Sequence, residues 1–126
     1  AKRIPLFIWH TEIDLENLYV LANSFPKLQI ILESQPQKLI YHTCSVFALM
    51  KNCRNICLEI SNLVAPGLLK YAVRQLGAQR FVYGSFLPAN DPMVAVSLLL
   101  ESGLDLNDIN LIAGGNMQGI VGAIKC

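Results

Sequence analysis

The feature that most constrains this chain is a regular alternation between short, continuously apolar runs and longer segments with helical spacing. The apolar runs cover residues 4–9, 28–32, 55–60 and 80–83. Strands that are buried on both faces read as unbroken apolar runs, and a helix after each run is typical of parallel strands joined by crossovers. The runs recur at a spacing of roughly 25 residues, which suits successive strand–helix units. The pattern therefore predicts an α/β fold with four parallel βα units.

Signals for helices lie between and beyond the runs. Helical spacing of apolar residues covers 14–25, 37–51 and 66–76. Asp91-Pro92 joins a capping side chain to a proline at the first helical position, and this pair predicts a fourth helix. Because each connection is long enough for a helix, the strands are expected to be parallel and adjacent in chain order.

The end of the chain departs from the repeat. Residues 106–113 and 117–124 predict two helices of a C-terminal helical tail, and the Gly-Gly-Asn sequence at 114–116 predicts a tight turn between them. The Asn116 side chain is expected to satisfy backbone groups at this turn. No linker, low-complexity tract or charge run divides the chain, so residues 1–126 are predicted to form a single domain.

Composition and charge exclude two kinds of partner. The chain is 53% apolar, but no apolar run reaches the length of a membrane-spanning helix, so no membrane contact is expected. The net charge is +1 and no basic stripe with interleaved aromatics occurs, which argues against nucleic-acid binding. The chain lacks a signal peptide pattern, and its cysteines lack a second pair at zinc spacing. These features predict a cytoplasmic protein with buried, reduced thiols at Cys44, Cys53, Cys57 and Cys126.

Four βα units fit two architectures. An open flavodoxin-like sheet would be self-sufficient, whereas half of a TIM (β/α)8 barrel would leave two sheet edges and an apolar interior uncovered. The periodicity of the chain does not choose between them. Both architectures place function at the carboxyl ends of the strands.

Polar and aromatic side chains at the predicted strand ends form the candidate site. His10, Glu33 and Glu59 could act as base and acid around a small polar molecule, or ligate a divalent metal. The candidate contacts for a small-molecule ligand are Thr11, Ser34, Ser61, Ser85 and Phe86. His42 is predicted to lie within the second helix, where a solvated or half-buried position explains it without a functional role.

Five short segments, in order along the chain, match motifs of one known family. Residues 5–10 are similar to a Pro-apolar-apolar-apolar-His strand with one extra residue. Phe-Pro-Lys-Leu at 25–28 matches a turn before the next strand, and 55–61 and 77–85 resemble the two strands that follow. Ile-Ala-Gly-Gly-Asn at 112–116 matches a closing helix turn. On these segments the whole chain resembles the second half of an amidohydrolase-related TIM barrel, so the resemblance favours the half-barrel.

The resemblance implies a metal site, but the chain departs from the family's ligand set. In the family, a His-x-His pair on the first barrel strand, histidines on the fifth and sixth strands and an aspartate on the eighth hold the metal. The fifth-strand histidine matches His10, whereas the sixth-strand histidine falls at Ser34 and the eighth-strand aspartate at Phe86. The first-strand pair has no counterpart in this chain. Serine is a poor ligand for a catalytic metal, and phenylalanine can neither bind metal nor move a proton.

Together these features predict a divergent domain of the metal-dependent-hydrolase type with an incomplete metal site. If it is active, it would be a hydrolase or a decarboxylase of small molecules. A divalent metal such as zinc is compatible with His10, but a single surviving ligand predicts no tight binding. The alternative is a noncatalytic small-molecule-binding or interaction module. The free sheet edges of a half-barrel predict a homodimer, or docking onto a missing N-terminal half.

Overall fold

The sheet has the predicted strands in the predicted order. A computed structural model describes residues 3–124 and contains one sheet of four parallel strands, ordered β1-β2-β3-β4. The strands are β1 (Leu6–Trp9), β2 (Ile30–Glu33), β3 (Ile56–Glu59) and β4 (Phe81–Val82). Parallel and sequentially adjacent strands are therefore confirmed. This order is that of a barrel segment rather than of a flavodoxin-like sheet, in which later strands flank the first on both sides.

Helices follow each strand and then form the C-terminal tail. They are α1 (Leu15–Ser24), α2 (Thr43–Asn52), α3 (Leu68–Leu76), α4 (Pro92–Leu100), α5 (Leu106–Asn110) and α6 (Asn116–Gly122). The start of α4 shows the predicted cap, because the Asp91 carboxylate accepts a hydrogen bond from the Met93 N–H at 2.9 Å and proline follows the cap. Within residues 3–124 no helix is long and apolar enough to cross a bilayer.

The sheet has an outer face that packs on the helices. Strand residues on this face are fully buried against helix residues such as Leu18, Val46 and Leu69. The strand residues that define the outer face are Ile30, Leu32, Ile56, Leu58 and Phe81. Since each fully buried aliphatic side chain contributes about 1.5–3 kcal/mol, this layer supplies most of the apolar stabilisation.

The opposite, inner face is only partly covered. It is defined by the alternate strand residues Phe7, Trp9, Ile31, Glu33, Cys57, Glu59 and Val82. Met117 and Ile120 of α6 pack over its centre, where Ile31, Cys57 and Val82 are buried. On β1, however, Phe7 is 50% exposed and Trp9 is 38% exposed. The inner face is thus apolar and open at β1, as expected for part of a barrel.

The predicted helix over 37–51 is wrong in its first turn. Leu39–Tyr41 forms a 3-10 helix, and α2 begins only at Thr43. His42 separates the two elements with φ −118° and ψ 3°, outside the helical region, while its N–H donates to the Leu39 carbonyl at 2.8 Å. His42 therefore lies at the N-cap of α2 and not within a helix.

The predicted turn at 114–116 is also wrong, because the backbone stays helical there. Leu111–Gly115 forms a π-helical segment that joins α5 directly to α6. Gly115 has φ −56° and ψ −42°, so neither the glycine pair nor Asn116 interrupts the helix. The Asn116 side chain does satisfy backbone groups, but of a distant segment and not of a turn, since its Nδ2 donates to the carbonyls of Ala78 and Phe81 at 2.8 Å each. These bonds anchor the tail beside β4.

The cysteines are free thiols in the part of the chain that the structure describes. Cys53 and Cys57 are buried, as predicted, whereas Cys44 is exposed in the first turn of α2. Cys126 lies outside the described residues. Whether residues 1–126 form a single domain stays a prediction.

Candidate functional site

The carboxylate of Glu59, at the end of β3, is buried and accepts four hydrogen bonds. Its Oε2 accepts from the hydroxyls of Ser34 and Ser61, both at 2.9 Å, and from the Ser34 N–H at 3.3 Å. Its Oε1 accepts from the Ser61 N–H at 2.5 Å. A buried carboxylate is costly unless hydrogen bonds replace its water, and these four donors do so. The two serines therefore hold the Glu59 carboxylate in one position.

Ser34 connects this carboxylate to the loop after β3. Its hydroxyl accepts a hydrogen bond from the Asn62 N–H at 2.9 Å, and the Asn62 side chain donates to the Ser34 carbonyl at 2.9 Å. Ser34 is fully buried and Ser61 is 4% exposed. Their hydroxyls consequently position Glu59 rather than line an open cleft.

Gly84 lies just after β4, and because it has no side chain the Glu59 carboxylate can pack directly against its backbone. A Cβ atom on Gly84 would overlap the Glu59 carboxylate, at a distance that real Cβ contacts do not show. The requirement for glycine here comes from close approach, not from an unusual backbone angle.

Glu33 lies on the same inner face, at the end of β2, and is half-buried. Burial, and then the negative charge of Glu59, raise the pKa of the Glu33 carboxyl above its ordinary value. Glu12 adds a smaller upward contribution, while a hydrogen bond from the Trp9 side chain acts in the opposite direction. The structure thus sets a fixed carboxylate beside a second carboxyl that keeps its proton to higher pH.

One aromatic ring borders this carboxyl pair and a second packs against it. Trp9 is the register partner of Glu33 in β1, and its ring lies edge-to-face with Phe86 at a centroid distance of 6.5 Å. Phe86 has φ +54°, a left-handed conformation that is uncommon for a bulky residue and that clusters at functional sites.

His10 is separated from the two carboxylates. Its Nδ1 lies 3.3 Å from the backbone carbonyl of Glu33, and its ring faces a cavity of about 260 Å³ lined by residues of the β1–α1 connection and α2. Neither Glu33 nor Glu59 lines that cavity. The predicted trio is therefore divided into a Glu33–Glu59 pair and a histidine elsewhere.

The remaining candidates stand at the rim, and three residues were missed by sequence reasoning. Thr11 is exposed in the turn after β1, and Ser85 is half-buried after β4. The missed residues are Trp9, Asn62 and Gly84. Two of these had a signal: Asn62 follows the candidate Ser61 at the end of the third run, and Gly84 precedes the candidate Ser85 after the fourth run.

A metal centre is not assembled by the residues that the structure describes. Within 3–124, no three His, Cys, Asp or Glu side chains come close enough together to hold an ion. The positions that the resemblance assigns to the sixth and eighth strands are Ser34, whose hydroxyl binds Glu59, and Phe86, which is apolar. The donor set of residues 3–124 does not fit the metal that the resemblance implies.

Comparisons with known proteins identify the fold. No protein-family model matches the chain, and no curated protein sequence matches it significantly. Among solved structures, the 5-carboxyvanillate decarboxylase of Sphingomonas paucimobilis matches with a TM-score of 0.61 at 19% identity over 83% of this chain. A dihydroxybenzoic acid decarboxylase from Polaromonas sp. JS666, with bound manganese and the inhibitor 2-nitroresorcinol, gives 0.63 at 18% over 86%. A Staphylococcus aureus protein provisionally classed as an amidohydrolase gives 0.62 at 18% over 86%.

The chain has the fold of part of an amidohydrolase-related barrel. It spans 36%, 40% and 39% of the length of those three proteins, respectively. The half-barrel expected from the resemblance is thus confirmed at the level of fold. At sequence identities below one fifth, the likeness identifies the fold but not the roles of individual residues in this chain.

Proposed function

We propose that this chain forms part of a divergent barrel that acts on a small molecule as a hydrolase or decarboxylase. In this proposal Glu33 is the acid–base group and Glu59 is the fixed charge beside it. The observation that carries the proposal is their arrangement: a half-buried carboxyl with a raised pKa next to a buried carboxylate held by four donors. Paired carboxyls with different environments are typical of acid–base sites.

Both reactions need a proton at one defined atom. In a hydrolysis the leaving group takes a proton as its bond breaks, and in a decarboxylation the carbon that loses CO2 takes one. Glu33 would supply this proton and recover it from water. Its raised pKa suits a general acid, because the group stays protonated at higher pH than an exposed glutamate.

The aromatic border favours a ligand with a flat apolar part. Trp9 and Phe86 offer ring faces and edges beside Glu33, and the Thr11 and Ser85 hydroxyls lie at the rim of the same strand ends. Two of the compared proteins are decarboxylases of hydroxylated aromatic acids by name. We therefore propose a small aromatic or otherwise planar acid as the substrate class, with Ser34 and Ser61 acting only through Glu59.

The metal of a compared protein does not fit the described residues of this chain. The compared decarboxylase from Polaromonas contains manganese, but the described residues of this chain present a single family-type ligand, His10, on the wrong side of the strand for Glu33. We assign no step to a metal at the carboxyl pair.

The open inner face supports a completed barrel. Phe7 and Trp9 leave half and more than a third of their surfaces exposed there, and β1 and β4 each have one strand neighbour. Exposed apolar side chains and free strand edges favour association. We propose a homodimer or docking onto a separate N-terminal half. Sedimentation at micromolar concentration tests this, and a stable monomer would contradict it.

The second candidate function is a noncatalytic small-molecule-binding or interaction module. It is favoured by Phe86, which stands where the resemblance expects the catalytic aspartate. The two functions differ in what Glu33 does: it is essential for turnover in an enzyme and dispensable in a binding module.

The experiment measures binding and turnover of 5-carboxyvanillate separately. Trp9 is the only tryptophan, so its indole N–H gives a single NMR resonance beside the proposed site. We expect the probe to shift this resonance in wild type and in Glu33→Gln, with CO2 release in wild type alone. Phe86→Ala is expected to weaken binding, whereas Phe25→Ala, an exposed aromatic before β2, is the matched control. Binding without turnover in wild type supports the module, and no binding of this or related planar acids contradicts both functions.

A further inference from the structure

Both histidines of the chain face one small cavity on the helix side of the sheet. The cavity has a volume of about 260 Å³ and lies between the β1–α1 connection and α2. Its lining residues are His10, Ile13, Asp14, Leu15, His42 and Val46. Neither the proposed acid–base role of Glu33 nor the packing of the core accounts for two imidazoles that line the same cavity.

The hydrogen bonding of His10 defines which ring nitrogen is free. Its Nδ1 lies 3.3 Å from the Glu33 carbonyl, which can only accept, so Nδ1 carries the hydrogen. In a neutral imidazole the other nitrogen, Nε2, then carries an unshared lone pair that can accept a hydrogen bond or bind a cation. That Nε2 is buried and has no hydrogen-bond partner among the described residues. A buried acceptor of this kind is satisfied either by a hydrogen-bond donor such as water or by a cation, and His10 lines the cavity that could hold one.

We propose that His10 and His42 bind a divalent transition-metal ion such as Ni²⁺, Cu²⁺ or Zn²⁺ in this cavity. Neutral imidazole is a preferred ligand of these ions. A histidine that ligates metal usually donates its other ring N–H to a backbone carbonyl or carboxylate, and the bond from His10 Nδ1 to Glu33 is of this type.

The spacing of the two rings fits one shared ion after a small movement. Their centroids are 6.4 Å apart with a tilt of 52°. With metal–nitrogen bonds of about 2.0–2.1 Å, two rings that share an ion have centroids roughly 6.4 Å apart when they lie on opposite sides of it, and roughly 5 Å apart at a tetrahedral angle. His42 is exposed at the N-cap of α2, so its side chain can turn toward His10 without displacing the core.

The ion would have two protein ligands and complete its shell with water. Asp14 also lines the cavity, but its carboxylate already accepts from the backbone and side chain of Asn17 at 2.8 and 2.6 Å. This fits the finding that no three ligating side chains converge within residues 3–124. Binding is therefore weaker than at a three-ligand site.

The test is a titration of the purified chain with NiCl2, followed by calorimetry and by the histidine ring signals in NMR spectra. We expect one equivalent of Ni²⁺ to bind with a dissociation constant of roughly 1–100 µM. His10→Ala and His42→Ala are each expected to weaken binding by more than about tenfold. Because His10 is partly buried, circular dichroism verifies its folding, and the exposed His42 provides the variant that keeps the fold.

Two matched controls locate the ion. Cys44→Ser removes an exposed thiol two residues after His42, and Glu33→Gln alters the carboxyl pair; neither is expected to change Ni²⁺ binding. Absence of binding below about 1 mM, or binding that survives His42→Ala, would overturn the proposal. Loss of binding in Glu33→Gln or Cys44→Ser would also overturn it by moving the ion to another site.

Discussion

Removing the Ser34 hydroxyl should destabilise the protein more than removing the Ser61 hydroxyl, although both donate to the same oxygen of Glu59 at 2.9 Å. A hydrogen bond to a charged group contributes about 1.5–3 kcal/mol, so Ser61→Ala is expected to lower the free energy of unfolding by about 2 kcal/mol. Ser34→Ala loses the same bond and also leaves the Asn62 N–H without its acceptor at 2.9 Å. An unsatisfied donor adds about 1–3 kcal/mol when it is buried, so a total of about 3–5 kcal/mol is the upper range expected for this half-buried N–H.

Urea unfolding, followed by circular dichroism and by the fluorescence of Trp9, measures these differences. Ser45→Ala is the matched control, because Ser45 is exposed in α2 and its change is expected to stay within about 0.5 kcal/mol of wild type. The reasoning is refuted if Ser34→Ala costs no more than Ser61→Ala, or if both behave like Ser45→Ala. Equal costs would mean that the Asn62 N–H does not depend on the Ser34 hydroxyl, and two variants that behave like Ser45→Ala would mean that the Glu59 carboxylate is solvated rather than held by the serines.

Three further predictions concern the carboxyl pair and metal binding. Gly84→Ala should destabilise the protein by about 1–3 kcal/mol because its Cβ overlaps the Glu59 carboxylate. Gly119→Ala should not, because apart from its own helix backbone nothing lies within 4 Å of a Cβ there, and thermal melts compare the two variants. The pKa of Glu33 is raised in the folded protein, so ionisation of this carboxyl lowers the free energy of unfolding. Glu33→Gln should therefore match wild type below about pH 4.5, the ordinary pKa, and become the more stable protein as pH rises through the folded pKa. Urea midpoints at several pH values measure this difference. Zinc should not stay bound through dialysis; near-stoichiometric zinc that His10→Ala abolishes would contradict this.

The order and direction of the strands could be predicted because they depend on local patterns. Unbroken apolar runs such as 28–32 and 55–60, each followed by helical spacing, indicate buried parallel strands without knowledge of distant contacts. The resemblance then distinguished a barrel segment from an open sheet. The glycine pair at 114–115 was misread because glycine also tolerates helical angles when a side chain such as that of Asn116 anchors the segment.

For the carboxyl pair, the sequence predicts that two glutamates lie at strand ends, but not how their surroundings differ. Glu33 and Glu59 follow from strand positions, but the environment that separates their roles comes from contacts across 25 residues of sequence, between Ser34 and Glu59. The space at Gly84 is likewise visible only when β3 and β4 lie side by side. Burial and hydrogen-bond partners of this kind are tertiary properties, and no local pattern encodes them.

The position of His10 has a simple cause in the alternation of strand side chains, and this leads to the last prediction. The run 5–10 has one residue more than the family's strand, and a shift of one residue moves a side chain to the opposite face. Position 9, not 10, therefore faces Glu33 on the inner face. Trp9→His should create Ni²⁺ binding that persists in the presence of His42→Ala and is lost with Glu33→Gln. Phe7→His, on the same face but paired with Ile31, should not create it. Equal gains at positions 7 and 9 would show that strand face and register do not decide where this scaffold can hold metal.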